Sequence, residues 1–177
     1  MTVAAYASSR NLAFEGVDEP LRVRTLNQAV DDARILVVDD DPHAARYMLQ
    51  LLERHGFSRV TSVDGGREAL RTIVAEAPDV LVLDAHMPQV DGFGVLREMQ
   101  HNSVSVLTAV LGVSGDSSVT TGQAMLSAGA DDFIGRPFEG RKFALRVRRL
   151  ALVTRELRRT LEYRGWLDAR SDFSSLS

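Results

Sequence analysis

Apolar positions in this chain fall into two alternating rhythms. Short aliphatic runs bounded by turn residues mark strands at Arg34–Val38, Val60–Val63, Val80–Leu83, within Val106–Val113, and at Asp132–Ile134. Between them the apolar spacing widens to three and four, the period of a helix packed on one side. The first helix follows Pro42, carries Ala45, Met48, Leu51 and Leu52, and stops at Gly56. The second opens at Asp64-Gly65-Gly66 and carries Leu70, Ile73 and Val74 toward Ala77-Pro78. A third follows Asp91-Gly92 with Phe93, Val95, Leu96 and Met99, and a fourth is capped by Gly115-Asp116-Ser117 and ends near Gly129. The last begins near Gly140, after Arg136-Pro137-Phe138. Proline suits a first helical position and glycine a left-handed stop. Five strands alternating with five helices predict an α/β fold, a doubly wound five-stranded parallel sheet with helices on both faces.

The last helix does not end where a single domain would need it to. Phe143, Val147, Leu150, Thr154, Leu157 and Leu161 recur at alternating spacings of four and three. Part of this seam must cover the sheet. Beyond about Val153 it reads either as an amphipathic helix that frays, or as a two-stranded coil or signalling connector. Before Ala33 the pattern is weak, with Leu21, Val23, Leu26 and Val30 fixing neither a helix nor a strand. The expected organisation is a flexible N-terminal extension at 1–32 and a domain at 33–151. An extension of the last helix at 152–170 and a disordered tail at 171–177 complete it.

Composition narrows the class. A hydrophobic content of 45% and a charged content of 25% in 177 residues suit a globular domain able to bury a core without staples. The absence of cysteine excludes disulfides and thiolate metal sites. No apolar run approaches the roughly 20 residues needed to cross a bilayer. The N-terminus lacks the basic and apolar regions of a signal peptide, so a cytoplasmic protein without membrane contact is expected. The net charge of −3 is uneven: residues 139–170 hold ten basic and four acidic side chains, and Lys142 is the only lysine of the chain. That segment fits either an acidic partner or a solvated, salt-laced helix face.

The chemistry lies where the strands stop. The first runs into Asp39, Asp40 and Asp41; later ones end at Asp84, at Ser114 and at Arg136. Ligands in open α/β sheets bind at the carboxyl ends of the strands, so these groups converge if the strands pair side by side. Like-charged carboxylates about 5 Å apart at an effective dielectric near 20 repel by roughly 3 kcal/mol per pair. A divalent cation relieves that cost, and Mg²⁺, hard and oxygen-seeking, suits it. A carboxylate beside the cation can attack an activated phosphoryl donor. A guanidinium and a hydroxyl would then hold the transferred oxygens.

The segments RILVVDDDP, DVLVLDAHMPQVDGFGVL, VLGVSG and AGADDFIGRPF closely resemble the receiver domain of two-component response regulators, over about Ala33 to Ala151. The resemblance implies the flavodoxin-like strand order 2-1-3-4-5 of chemotaxis regulators. It also implies residue roles. Asp84 would be the phosphoacceptor and also a Mg²⁺ ligand, with Asp40 the main Mg²⁺ carboxylate, Asp39 acting largely through a metal-bound water and the backbone carbonyl of His86 completing the ligands. Ser114 would be the switch hydroxyl and Phe133 the aromatic switch, while Asp41 caps the first helix. Arg136 departs from the family, which usually has lysine there; a planar fork does not replace a compact ammonium without consequence.

The function implied is a phosphoacceptor switch rather than an enzyme, charged by a histidine kinase or phosphotransfer protein. Its output would reach a partner or drive self-association, through the last helix or the face from the fourth to the fifth helix. No direct DNA binding is expected, since no DNA-binding or enzymatic segment follows. Two alternatives stand beside it: a phosphorylation-independent interaction module, and a Mg²⁺-dependent aspartyl phosphohydrolase. The latter would want an Asp-x-Asp-x-Thr run, which Asp39-Asp40-Asp41-Pro42 does not supply.

Overall fold

The computed structural model describes residues 30–101, 107–116 and 118–163. The expected tail at 171–177, residues 164–170 of the expected helix extension, residues 1–29 of the N-terminal extension, Val106 and Ser117 lie outside these residues. The order is β1 (Arg34–Val38), α1 (Pro42–Arg54), β2 (Arg59–Val63), α2 (Gly66–Glu76), β3 (Val80–Asp84), α3 (Gly92–His101), β4 (Ala109–Ser114), α4 (Val119–Ser127), β5 (Asp132–Gly135) and α5 (Gly140–Tyr163). All pairings are parallel, in the sheet order β2-β1-β3-β4-β5. The expected strand order and alternation hold.

Alternation along the strands divides the interior in two. Ile35, Val37, Val80, Val82, Leu111 and Val113 face one layer, against Met48 and Leu52 of α1 and Phe143, Val147 and Ala151 of α5. Leu36, Val38, Leu81, Leu83 and Val110 face the other, against Ile73, Val95, Leu96, Met99 and Met125. Every residue of β3 is buried, which is why it reads as an unbroken apolar run. β2, at the sheet edge, has three exposed residues of five. Complete burial of each Leu or Val contributes about 1.5–3 kcal/mol, so the central strands anchor the fold.

Local signals set the helix ends. Asp41 caps α1 by accepting from the His43 N–H at 2.8 Å, with Pro42 in the first turn and Gly56 beyond the end at φ +94°. Asp91 performs the same service for α3, accepting from the Gly94 N–H at 2.7 Å. The cap of α4 differs from expectation. Ser118, not the Gly115–Ser117 turn, is its N-cap and accepts from the Thr121 N–H at 3.2 Å. β4 begins at Ala109, inside the expected Val106–Val113 run, and continues one residue past it to Ser114.

The last helix is 24 residues long, or about 36 Å at the usual rise, while five-residue strands span about 17 Å. Its start packs on the sheet; its overrun is held by arginines at the sheet's N-terminal edge. Arg158 donates to the carbonyls of Ala77 and Leu107, and its Nε lies 3.5 Å from Asp79. Asp79 is itself buried and accepts from the Arg34 N–H at 2.9 Å. Arg155 pairs with Asp32, and Arg148 reaches Asp31 at 3.0 Å while lying over the Phe57 ring. Val30 is fully buried, so residues 30–32 of the expected extension are held against the domain. The seam is buried as far as Thr154, whereas Val153 and Leu157 are exposed. Replacing Arg158 with alanine removes the ion-pair partner of the buried Asp79 carboxylate and is expected to cost about 2 kcal/mol. Urea unfolding checks this against Arg159→Ala, whose side chain pairs with exposed Glu156; coincident midpoints would refute the staple.

Candidate functional site

Strand register builds the site. Val38 lies opposite Leu83, Asp84 opposite Val113, and Ser114 opposite Gly135. Asp84 and Ser114 end β3 and β4, and Asp39 and Arg136 lie one residue past β1 and β5, so all four come to one rim of the sheet. The Arg136 N–H donates to the Ser114 carbonyl at 2.7 Å, and the Ala85 N–H to that of Val113 at 2.8 Å, so the rim stays in register past the last ladder pairs.

Three carboxylates converge there. One oxygen from each of Asp39, Asp40 and Asp84 lies within 4.8 Å of the others. Asp39 and Asp84 are buried and Asp40 is exposed. Asp39 accepts from the Asp41 N–H at 2.9 Å through Oδ1 and from Arg136 through Oδ2. Asp84 accepts from the His86 N–H at 3.2 Å through Oδ2, and its Oδ1 lies 3.6 Å from the same Arg136 nitrogen. Burial pushes the Asp84 carboxyl up to about 6; the Asp39 charge adds to the rise, and Arg136 opposes it. Burial likewise raises Asp39, against the pull of the Asp41 N–H and of Arg136. Both acids therefore keep an unmet demand for positive charge despite the guanidinium. Three hard oxygen donors with that demand fit Mg²⁺ better than a softer ion.

The remaining expected residues lie at or beside this cluster. Ser114 is fully buried, and its hydroxyl accepts from the Asp116 N–H at 3.0 Å. His86 follows Asp84 by two residues with its side chain exposed, its ring 6.3 Å from that of Phe93. Phe133 is half-buried one strand away, at the level of Gly112 on β4.

Several contributors had no clear sequence signal. A Cβ built on Gly122 of α4 would lie 2.9 Å from the Phe133 ring, and one on Gly112 would lie 3.3 Å from it. Two glycines thus form the slot in which that ring sits. Asp116 accepts from the hydroxyl of Thr121 at 2.6 Å and from the Ser118 N–H at 2.9 Å, which together hold its carboxyl below the usual range. The same residue therefore grips the Ser114 hydroxyl with its backbone and the first turn of α4 with its side chain. Gly92 carries α3 past the end of β3 so closely that a Cβ would meet the Asp84 carbonyl oxygen at 2.3 Å.

Known proteins are similar to this chain in sequence and in fold. The profile of the response regulator receiver domain matches residues 35–148. The transcriptional regulatory protein PrrA of Mycobacterium tuberculosis is 38% identical over 125 residues, 71% of this chain and 52% of that protein. The response regulator MprA of Mycolicibacterium vanbaalenii is 38% identical over 145 residues, 81% of this chain and 59% of that protein. The chain thus spans little more than half the length of the curated relatives it matches. Among solved structures, the receiver domain of the Francisella response regulator 1452 superposes with a TM-score of 0.64 at 30% identity, covering 70% of this chain and 99% of that one. With the profile, the sheet order and the three clustered acids in agreement, the chain belongs to the response regulator receiver domain family, the phosphoacceptor modules of two-component phosphorelays that partner with histidine kinases.

Proposed function

We propose that Asp84 accepts a phosphoryl group from a phosphohistidine on a kinase or phosphotransfer protein, and that the resulting charge switches the face this domain offers to a partner or to a second copy. The observation that carries this reading is the convergence of Asp39, Asp40 and Asp84 within 4.8 Å, with the Arg136 guanidinium against them. An Asp84 oxygen attacks phosphorus, the phosphorus–nitrogen bond of the donor breaks, and its electron pair returns to the imidazole. Asp39, Asp40, Asp84 and the His86 carbonyl would hold Mg²⁺, which supplies charge neutralisation of the transferring group. Arg136 and Ser114 take up the new oxygens. To reach them, the Ser114 hydroxyl leaves the Asp116 N–H, and the Phe133 ring leaves its glycine slot. Phosphate biases the two states only through such differential contacts.

The unit that switches is residues 33–151, with 152–170 as its outward connector and 1–32 and 171–177 as flanking segments. Self-association would use α5 or the α4–α5 face, where Val119, Leu126, Leu145, Val153 and Leu157 are exposed. Direct contact with DNA is not part of this reading. Arg146, Arg148, Arg155 and Arg158 are turned to Asp132, Asp31, Asp32 and Asp79 within the domain. No described helix is long and apolar enough to cross a membrane, and the proposed setting is the cytoplasm.

Incubation with a small phosphodonor and Mg²⁺, read by intact mass, tests the reading. One phosphate is expected on the native chain and none on Asp84→Asn. Continuous turnover would favour a hydrolase, and no modification would favour a passive interaction module. Arg136→Lys is expected to raise the phosphorylated fraction several-fold, since a compact ammonium fits a tight phosphate better than a planar fork. Equal yields from the two proteins would count against that.

A further inference from the structure

We propose that Arg136 is an internal counter-ion that competes with the divalent cation for Asp39 and Asp84, and so sets the cation concentration at which the pocket becomes competent. This rests on the reading of Asp39, Asp40 and Asp84 as cation ligands, and it adds a regulator to that site.

The geometry is specific. Of the two buried acids, each oxygen already faces either a backbone N–H or the guanidinium. Asp39 gives Oδ1 to the Asp41 N–H and Oδ2 to Arg136. Asp84 gives Oδ2 to the His86 N–H, and its Oδ1 lies 3.6 Å from the same Arg136 nitrogen. A single nitrogen therefore bridges both acids. A cation that takes oxygens from both acids must displace it or share the space with a fixed positive charge. The Arg136 side chain keeps 27% of its surface in solvent, so it can swing out once displaced. Backbone pairing holds its root in place, because the Arg136 N–H is bonded to the Ser114 carbonyl.

Cation binding and phosphate capture are then linked through one side chain. Displaced from Asp39, the guanidinium is free to meet a phosphoryl oxygen on Asp84. When neither cation nor phosphate is bound, it returns and masks the acids. Two stable positions of one arginine give the pocket a threshold in divalent cation.

Calorimetric titration of the full chain with MgCl₂ and with MnCl₂ tests this on the native protein, Arg136→Gln, Arg136→Met, Arg136→Lys and Asp84→Asn. Both neutral variants are expected to bind about tenfold more tightly, a fraction of the full Coulomb interaction because the side chain is mobile and partly solvated. Arg136→Lys keeps the charge and is expected to stay within about threefold of native. Asp84→Asn should weaken binding, which assigns the titration to this pocket. On the native chain, the Arg136 side-chain NMR signals should shift as cation is added, whether or not any variant folds. Neutral variants with unchanged or weaker affinity, a lysine variant that matches them, or arginine signals indifferent to cation would each overturn the proposal. Phosphodonor treatment separates its fate from that of the acceptor role. Split affinities without modification at Asp84 would sink the acceptor and spare the counter-ion; modification with equal affinities would do the reverse.

Discussion

Asp84→Asn is expected to stabilise the metal-free protein at pH 7.5 by about 2–3 kcal/mol while abolishing its capacity to take phosphate. The carboxyl is raised from 3.8 to about 6, first by burial and then by the charge of Asp39. A tenfold change in the acidity of a carboxyl corresponds to about 1.4 kcal/mol between its two protonation states. The direction follows from proton counting. Between about pH 4 and pH 6 the folded chain holds a proton at Asp84 that the unfolded chain has released, so stability falls as pH rises through that window. Below it both states are protonated and the group contributes nothing; above it the full penalty applies. Asp39, also raised, acts in the same sense. Asparagine keeps the shape and drops the charge. The variant should gain little at pH 4 and most above pH 6.5, with Mg²⁺ shrinking the gap by relieving the native protein. Urea unfolding in chelator at the two pH values measures this. A variant no more stable than native at pH 7.5 would contradict it.

The second large effect concerns a residue with no polar side chain at all. Gly92→Ala is expected to destabilise the fold by about 3 kcal/mol or more. Its Cβ would stand 2.3 Å from the Asp84 carbonyl oxygen and 3.0 Å from the Ala85 Cα, both backbone atoms with no rotamer to yield. The Gly92 N–H also donates to the Ala85 carbonyl at 3.1 Å, so α3 and the end of β3 would have to separate together. Because the displaced backbone is that of the acceptor, phosphorylation yield should fall along with stability. Gly115→Ala is the control: a Cβ there meets nothing within 4 Å, and its unfolding midpoint should remain near native. Equal midpoints for Gly92→Ala and Gly115→Ala would show that the two segments part without cost.

Much of this architecture could be read from the residues in order. Apolar runs such as Val80–Leu83 declare a strand buried on both faces, and the acids beyond them mark the ligand-binding rim. Asp41-Pro42 announces the start of α1 because capping is local chemistry. What escaped reading depends on distant partners. Asp79 and Arg158 meet across 79 residues, and periodicity says which face of a helix is apolar but not which far carboxylate its arginines will find. Gly122 and Gly112 look like ordinary small residues until the fold sets the Phe133 ring between them. Asp31 and Asp32 lie in a stretch without rhythm, and only the length of α5 brings Arg148 and Arg155 to them. The arginine at 136 was visible as a departure; its double engagement with Asp39 and Asp84 was not.

The overrun of α5 has a mechanical corollary. A rod gripped by Arg155 and Arg158 at the pole farthest from the acids cannot slide along the sheet without breaking those grips; it can only pivot about them. Motion that begins near Arg136 would therefore leave the domain as a change of angle, and the distance past the fulcrum sets how wide an arc the outgoing chain sweeps.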